Sequence, residues 1–212
     1  MLAEAEGVEF FDNAFDVCYG WELHHSMCDV AQGKSRVDAL REKIYKLLNH
    51  FPTDSMHLSF TSNHDENSWS GSEFSRFGAS LEPMAALTFL LPNALPLIYT
   101  GQEFGYDHSF SFFERDAMPK IEQNNYTDFY TKLCSIYHNH KALRSADEGA
   151  DFIEIINNAP DCLMTFVRER DDDRVVVIAN LSPYTVFGDF NTGIYAGEYT
   201  DAMTGQPTTL YE

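Results

Sequence analysis

Carboxylates stand at the ends of three apolar runs. Met1-Leu-Ala ends at Glu4; Leu58-Ser-Phe60-Thr-Ser runs into Asn63-His64-Asp65-Glu66-Asn67; Leu97-Ile-Tyr-Thr ends in Gly101-Gln102-Glu103. In parallel α/β folds the C-terminal ends of strands carry function, so these three ends are where chemistry would sit. Carboxylates beside a histidine suit cleavage of a glycosidic bond. One protonated acid serves the leaving oxygen, and anions stabilise an oxocarbenium-like transition state. Spacing alone does not decide it. The chain has 33 Asp and Glu residues, and an acid at a loop start is ordinarily just solvated.

Other groupings carry less. His24 and Cys28 form an i, i+4 pair on a helix-like run, but two ligands without a third make no metal site, and they are expected to pack on the helix surface. Asp171-Asp172-Asp173 reads as a solvated hairpin tip, because no further acceptors follow at a calcium-loop spacing. Cys18, Cys28, Cys134 and Cys162 are far apart and include no CxxC pair. Free buried thiols are expected, with neither disulfide nor structural zinc.

The elements that must position the acids alternate up to about Arg144. Strands are expected at Met1–Ala5, Ala14–Tyr19, His57–Thr61 and Pro96–Tyr99. Helices are expected at Leu23–Ala31, Ser35–Asn49, Glu82–Leu91 and Tyr126–Leu143. In the second helix Val37, Leu40, Ile44, Leu47 and Leu48 share a face, with Ser35 as a cap. Strands that are apolar throughout and separated by helices indicate a parallel sheet covered by helices. After Arg144 the pattern turns all-β, with strands expected at 152–156, 162–168, 174–181, 185–190 and 198–201 between turn signals. The break falls near Ser145–Gly149.

Composition narrows the partners. Fourteen Lys and Arg against 33 acids leave a formal charge of −19, which disfavours nucleic acid and anionic membrane surfaces. Apolar residues at 44% and aromatics at 14% are enough for a core. No apolar run approaches the ~20 residues of a membrane helix. The first seven residues lack the basic region of a signal peptide, and the compartment stays open.

Residue identity sharpens the strand-end signal. Phe60-Thr-Ser-Asn-His64-Asp65 resembles the strand-seven signature of the alpha-amylase family, retaining (β/α)8 glycosidases acting on α-glucosidic bonds. Pro96-Leu-Ile-Tyr99-Thr-Gly101-Gln-Glu103 resembles that family's strand-eight segment, and Met1-Leu-Ala-Glu4-Ala its strand-five segment, which carries the general acid. Order and spacing agree, and the all-β tail resembles the small sandwich that follows the barrel. The resemblance implies an α/β fold: the C-terminal half of a (β/α)8 TIM-type barrel over residues 1–146 (strands five to eight), then a small β-sandwich over 147–212. It implies two catalytic groups, Glu4 as general acid/base and Asp65 as the carboxylate that holds ring hydroxyls and favours the distorted sugar. Glu6 and Glu9 are rivals to Glu4 but fall beyond the strand end. His64 would donate a hydrogen bond to a sugar hydroxyl. Trp69 and Tyr99 would stack on sugar faces, with core packing an equal reading for Tyr99. The aromatic run Phe110–Arg115 resembles the loop after strand eight, where rim packing is the default.

The sequence departs from the family in one respect. The nucleophilic aspartate of the family ends strand four, ahead of the general acid, and no position here offers that motif. Leu91–Pro96 also lacks the glycine expected before strand eight, and the tail reads as ending short of the last sandwich strand. The expectation is therefore a portion of a glycosidase acting on starch-like glucans, inactive alone. Transglycosylation or isomerisation of a glucan or disaccharide is the alternative, as is a non-catalytic carbohydrate-binding or assembly module. The expected partner is an α-glucan or malto-oligosaccharide, with no cofactor or metal in this chain and calcium possible in a full-length parent. Self-association is also expected. The strands Met1–Glu4 and Pro96–Tyr99 would be free edges, and Val17, Leu58, Phe60 and Leu97 would lack a facing layer.

Overall fold

The structure is a computed structural model describing residues 1–212. Strands β1 (Leu2–Ala3), β2 (Val17–Tyr19), β3 (Met56–Ser59) and β4 (Ala94–Pro96) form one parallel sheet in chain order. Leu2 lies opposite Val17, Val17 opposite Met56, and His57 opposite Ala94. Parallel neighbours need long crossovers, and here helices supply them. Helices α1 (Trp21–Ala31) and α2 (Val37–His50) join β2 to β3. Helices α3 (His64–Ser70), α4 (Glu73–Phe77) and α5 (Leu81–Leu90) join β3 to β4. An irregular segment then leads to α6 (Asn125–Asn139), started by a capping box between Asn124 and Thr127.

The antiparallel part has two pieces. Strands β5 (Asp151–Glu154), β6 (Leu163–Arg170) and β7 (Asp173–Asn180) form one sheet. Strands β8 (Gly197–Thr200) and β9 (Pro207–Leu210) form a separate hairpin. One core serves both layers. Leu23 and Met27 of α1, Leu40 and Ile44 of α2, and Met84 and Leu87 of α5 pack in the same cluster as Met164, Phe166 and Val177 of β6 and β7. Arg168 is wholly buried at this junction. Its guanidinium donates to the carbonyls of Leu90, Arg144, Asp151 and Ala150 at 3.1–3.4 Å.

Several elements differ from the sequence reading. The β3–β4 ladder stops at Pro96. Leu97 N–H still reaches the Ser59 carbonyl at 2.9 Å, but the Gln102 side chain then accepts from Tyr99 N–H and draws the chain out of the sheet. The helix expected to reach Leu143 ends at Asn139, because His140 is extended. Residues 185–190 form no strand beyond one bridge, Asn157 to Phe190. The Asn180 and Ser182 side chains take up the Tyr184 backbone and turn the chain off the edge of β7. Where no strand was expected, β9 (Pro207–Leu210) pairs antiparallel with β8. Helices α3 and α4 were not expected; each is short and begins at a side-chain cap, Asn63 and Ser72.

The uncovered layer is a further correction. Val17, Leu58 and Phe60 are buried within the chain. Rings from the start of α1 close over Phe60, Trp21 at 5.2 Å and His24 at 4.8 Å between centroids. Leu97 is half-buried and Leu2 exposed.

Candidate active site

Glu4 follows β1 directly. His64 and Asp65 open α3, which starts five residues beyond the end of β3, and Asn63 fixes that start by accepting from Glu66 N–H at 2.8 Å. The two positions lie at the same, C-terminal, end of the sheet although β2 separates their strands. His64 Nε2 is 3.7 Å from Glu4 Oε1 and 3.6 Å from Asp65 Oδ1, and all three groups place a polar atom within 4.8 Å of one another. The site is open, the Glu4 side chain being 60% exposed and that of Asp65 35%. Three such donors could also hold a cation, but they make an incomplete, solvent-facing set.

Tyr19 ends β2 between them. Burial, then the charges of Glu4 and Asp65, push its phenol upward, so it stays a neutral hydrogen-bond donor. The strand-end rule, applied to β2 as it was to the other three strands, would have found it.

The remaining sequence candidates separate. Trp69 reaches the group through Phe112, whose ring is 5.2 Å from Trp69 and 6.1 Å from His64. Tyr99 is half-buried and meets Phe110 edge-on at 6.2 Å. Glu103 turns back and accepts from Gly101 N–H at 3.0 Å. Glu6 accepts from Glu22 N–H in the first turn of α1 at 2.9 Å, leaving Glu4 as the acid that faces His64. The run Phe110–Arg115 is not simply packed on the rim, since Phe112 and Phe113 are exposed.

Beneath the rim lies a layer of largely buried polar groups. Glu66 lies 3.3 Å from His24, 3.4 Å from His25 and 3.6 Å from Arg76. Hydrogen bonding to His24 and the nearby Arg76 charge hold its carboxyl near a pKa of about 2. Burial pushes the His24 pKa down. The ring lies with Nδ1 3.0 Å from the Phe60 carbonyl and Nε2 facing both Glu66 at 3.3 Å and the Arg76 guanidinium at 3.1 Å. Arg76 also lies 4.0 Å from the Cys28 sulfur, so a guanidinium occupies the place a metal would need between His24 and Cys28. That pair is interior, not on the helix surface, because α4 packs over it. Glu73 is buried; Thr61 and Gln102 donate to it and Gln102 also reaches Tyr130. Burial raises its pKa.

The other motifs resolve plainly. Asp171 turns the β6–β7 hairpin with φ 55°, Asp172 pairs with Lys141 and Asp173 accepts from His140 and Ala142 N–H. All four cysteines are free.

Four parallel strands with helical crossovers, acids gathered at one end and an antiparallel layer packed behind define a parallel α/β protein with a rim-borne site. Residues 155–210 match the alpha amylase C-terminal all-β domain. Over 169 residues the chain is 32% identical to alpha-amylase MalA of Haloarcula japonica, covering 76% of this chain and 24% of that protein. It is 26% identical over 162 residues to alpha-amylase 2 of Dictyoglomus thermophilum, covering 70% and 26%. In fold it resembles maltogenic alpha-amylase AmyB of Thermotoga neapolitana, with TM-score 0.83 at 16% identity over 98% of this chain and 49% of that one. An alpha-amylase from Lactobacillus plantarum gives 0.78 at 23% identity over 98% and 46%. The curated relatives and structural neighbours that the chain matches are alpha-amylase family enzymes. It spans about a quarter of the length of the curated relatives it matches.

Proposed function

We propose that the chain forms the acid-bearing half of a (β/α)8 barrel site for retaining cleavage of α-glucosidic bonds in starch-like glucans. The observation that supports it is the meeting of Glu4, His64 and Asp65 at one end of a parallel sheet. Glu4, solvent-accessible and facing no cation, is the group that protonates the leaving oxygen and later takes a proton from water. Asp65 holds sugar hydroxyls and stabilises the developing positive charge, His64 and the neutral Tyr19 phenol donate to hydroxyls beside it, and Trp69 and Tyr99 contribute ring faces. The two acids are the only carboxylates brought together here, and the nucleophile is assigned to neither. The chain alone is therefore inactive, since losing one member of a cooperating set costs orders of magnitude in rate.

The test is turnover of an aryl α-glucoside by the pure chain, with Glu4→Gln and Asp65→Asn beside it. No turnover above buffer is expected. Their closeness also favours a second reading, a complete two-carboxylate pair in which Asp65 attacks, because retaining pairs stand only ~5–5.5 Å apart. Turnover abolished by both substitutions would establish that reading and refute the first.

A further inference from the structure

Strand β7 is an edge strand, since the sheet order is β5-β6-β7 and neither β8 nor β9 pairs with it. The register fixes which of its backbone groups are free. Leu181 N–H reaches the Cys162 carbonyl at 2.9 Å, Leu163 lies opposite Asn180, and Phe166 opposite Val177. Hydrogen-bonded and non-bonded pairs alternate along an antiparallel ladder. The N–H and C=O groups of Val175, Val177 and Ala179 therefore point to β6, and those of Val176 and Ile178 point away from it. Neither Val176 nor Ile178 bonds its backbone to a group outside the sheet.

Nothing guards this edge. Exposed edge strands are ordinarily kept short or interrupted by a charge, a proline or a bulge. Here Asp173–Asn180 runs eight residues. Its middle, Val175-Val-Val-Ile-Ala179, carries neither charge nor proline, and its register with β6 is unbroken.

The edge opens into a cavity of about 490 Å³, within the range of ordinary binding sites, about 300–1,000 Å³. Helices α5 and α6 supply one wall with Ala86, Leu90 and Ile136, and the β8–β9 hairpin supplies the other with Met203 and Leu210. The hairpin is held off β7 as a roof. At its tip Lys132 of α6 donates to the Met203 carbonyl at 2.9 Å, and at its base Thr192 bonds the Tyr211 carbonyl.

A slot with bare backbone groups between apolar walls selects its occupant. A small apolar molecule would fill the walls and leave the backbone groups unpaired. A sugar chain would meet the backbone with hydroxyls and bring nothing apolar to the walls. An extended peptide does both, because its N–H and C=O groups lie in the plane of the sheet and its side chains alternate to the two sides.

We propose that the free edge of β7 is a docking slot for an extended, β-branched segment of another polypeptide, which adds as a fourth strand between β7 and the β8–β9 hairpin. Main-chain bonds to Val176 and Ile178 supply affinity, and the two walls select apolar side chains. The slot shares no residue with the Glu4–Asp65 site and does not depend on the glucan reading.

The test is fluorescence anisotropy of a fluorescein-labelled, capped heptapeptide of alternating valine and threonine with the 212-residue chain. The parent should bind it. A form N-methylated at its central amides, with the same side chains and no N–H to give, should not bind. Ile178→Pro removes an outward N–H and leaves the β6 ladder whole, so it should fold and bind the peptide at least about tenfold more weakly. Ile178→Thr keeps that N–H and should stay within about threefold of the parent. No binding by the parent, equal binding of the methylated peptide, or full affinity in a folded Ile178→Pro overturns the slot. If Ile178→Pro does not fold, the two peptides decide. A parent that takes up anilinonaphthalene sulfonate but not the peptide gives the cavity to a small apolar ligand and overturns the inference. A dimer dissolved by Ile178→Pro, with no peptide bound, gives the edge to a second copy and overturns it too.

Discussion

The His64 imidazole lies 3.7 Å from the Glu4 carboxylate, although their strands, β1 and β3, never touch. The intervening β2 is three residues long and parallel to both, and in register the three strands end within two residues of one another. The site is a consequence of register: a one-residue slip would turn the strand's side chains to the opposite face.

Glu66 should make the protein acid-sensitive in a defined window. Its folded pKa is below the ordinary value of 4.5, so the ionised carboxylate stabilises the fold above about pH 4.5, and that contribution fades as pH falls toward about 2. Glu66→Gln should cost about 2–3 kcal/mol at pH 7, with the gap closing in acid. Chemical denaturation of parent and variant at pH 7 and pH 3 measures it; a constant difference would count against the pairing.

Glu73 should behave oppositely. Its raised pKa means that the buried, ionised form destabilises the fold, and that stability returns as pH falls through the raised value. One of its oxygens also lacks a partner. Glu73→Gln keeps an acceptor for Thr61 and Gln102 without a buried charge, and should melt no lower than the parent at neutral pH. A clear drop in Tm would show that the charge is needed beside Arg76.

Removing the Arg168 guanidinium should be severe. Four backbone carbonyls, from α5, the 144–150 segment and β5, would lose a donor in a dry junction. Arg168→Met should cost about 3–5 kcal/mol, and Arg168→Lys should recover only part, since one ammonium cannot span that fork. Urea midpoints of the three proteins decide it.

Asn67→Ala should free the loop around His108–Phe110 without unfolding the protein. Two bonds, to the His108 carbonyl and from Phe110 N–H, worth about 0.5–1.5 kcal/mol each, are lost, and amide exchange of residues 108–111 should quicken while the helical circular dichroism holds. Protection that persists would place the loop's anchoring elsewhere.

Self-association through the edges of β1 and β4 should be weaker than a bare half barrel would imply, because Val17, Leu58 and Phe60 are covered. Short strands, Pro96 without an N–H and a charge of −19 all oppose it. Sedimentation should show a dimer only at high concentration, strengthened by salt that screens repulsion. Tight salt-independent dimers, or none at any concentration, would refute this.

The parallel layer was legible where pattern and motif coincided. The α2 face of Val37, Leu40 and Ile44 and the Asn63-His64-Asp65 turn both sit on a strong local signal. Short capped helices such as α3 and α4 were hidden, because seven and five residues are too few to display a helical period. The β4 boundary was misplaced since apolar residues 97–99 continue the strand pattern while a side chain, Gln102, ends the ladder. Tyr19 ends β2 with no acid beside it to draw the strand-end rule to that strand, and Phe112 lies in a run of aromatics that reads as rim packing until its exposure is known.

The shared cluster that joins Leu40 and Leu87 to Phe166 and Val177 bears on how such a molecule can be divided. A cut in the 144–150 segment would separate strands from the helices whose backs they cover, baring apolar surface on both pieces and stranding Arg168. The β layer is thus part of the foundation of the rim: whatever recombination or trimming these chains undergo, the helices that carry Glu66 and Arg76 and the sheet behind them are constrained to be inherited, folded and lost as one piece.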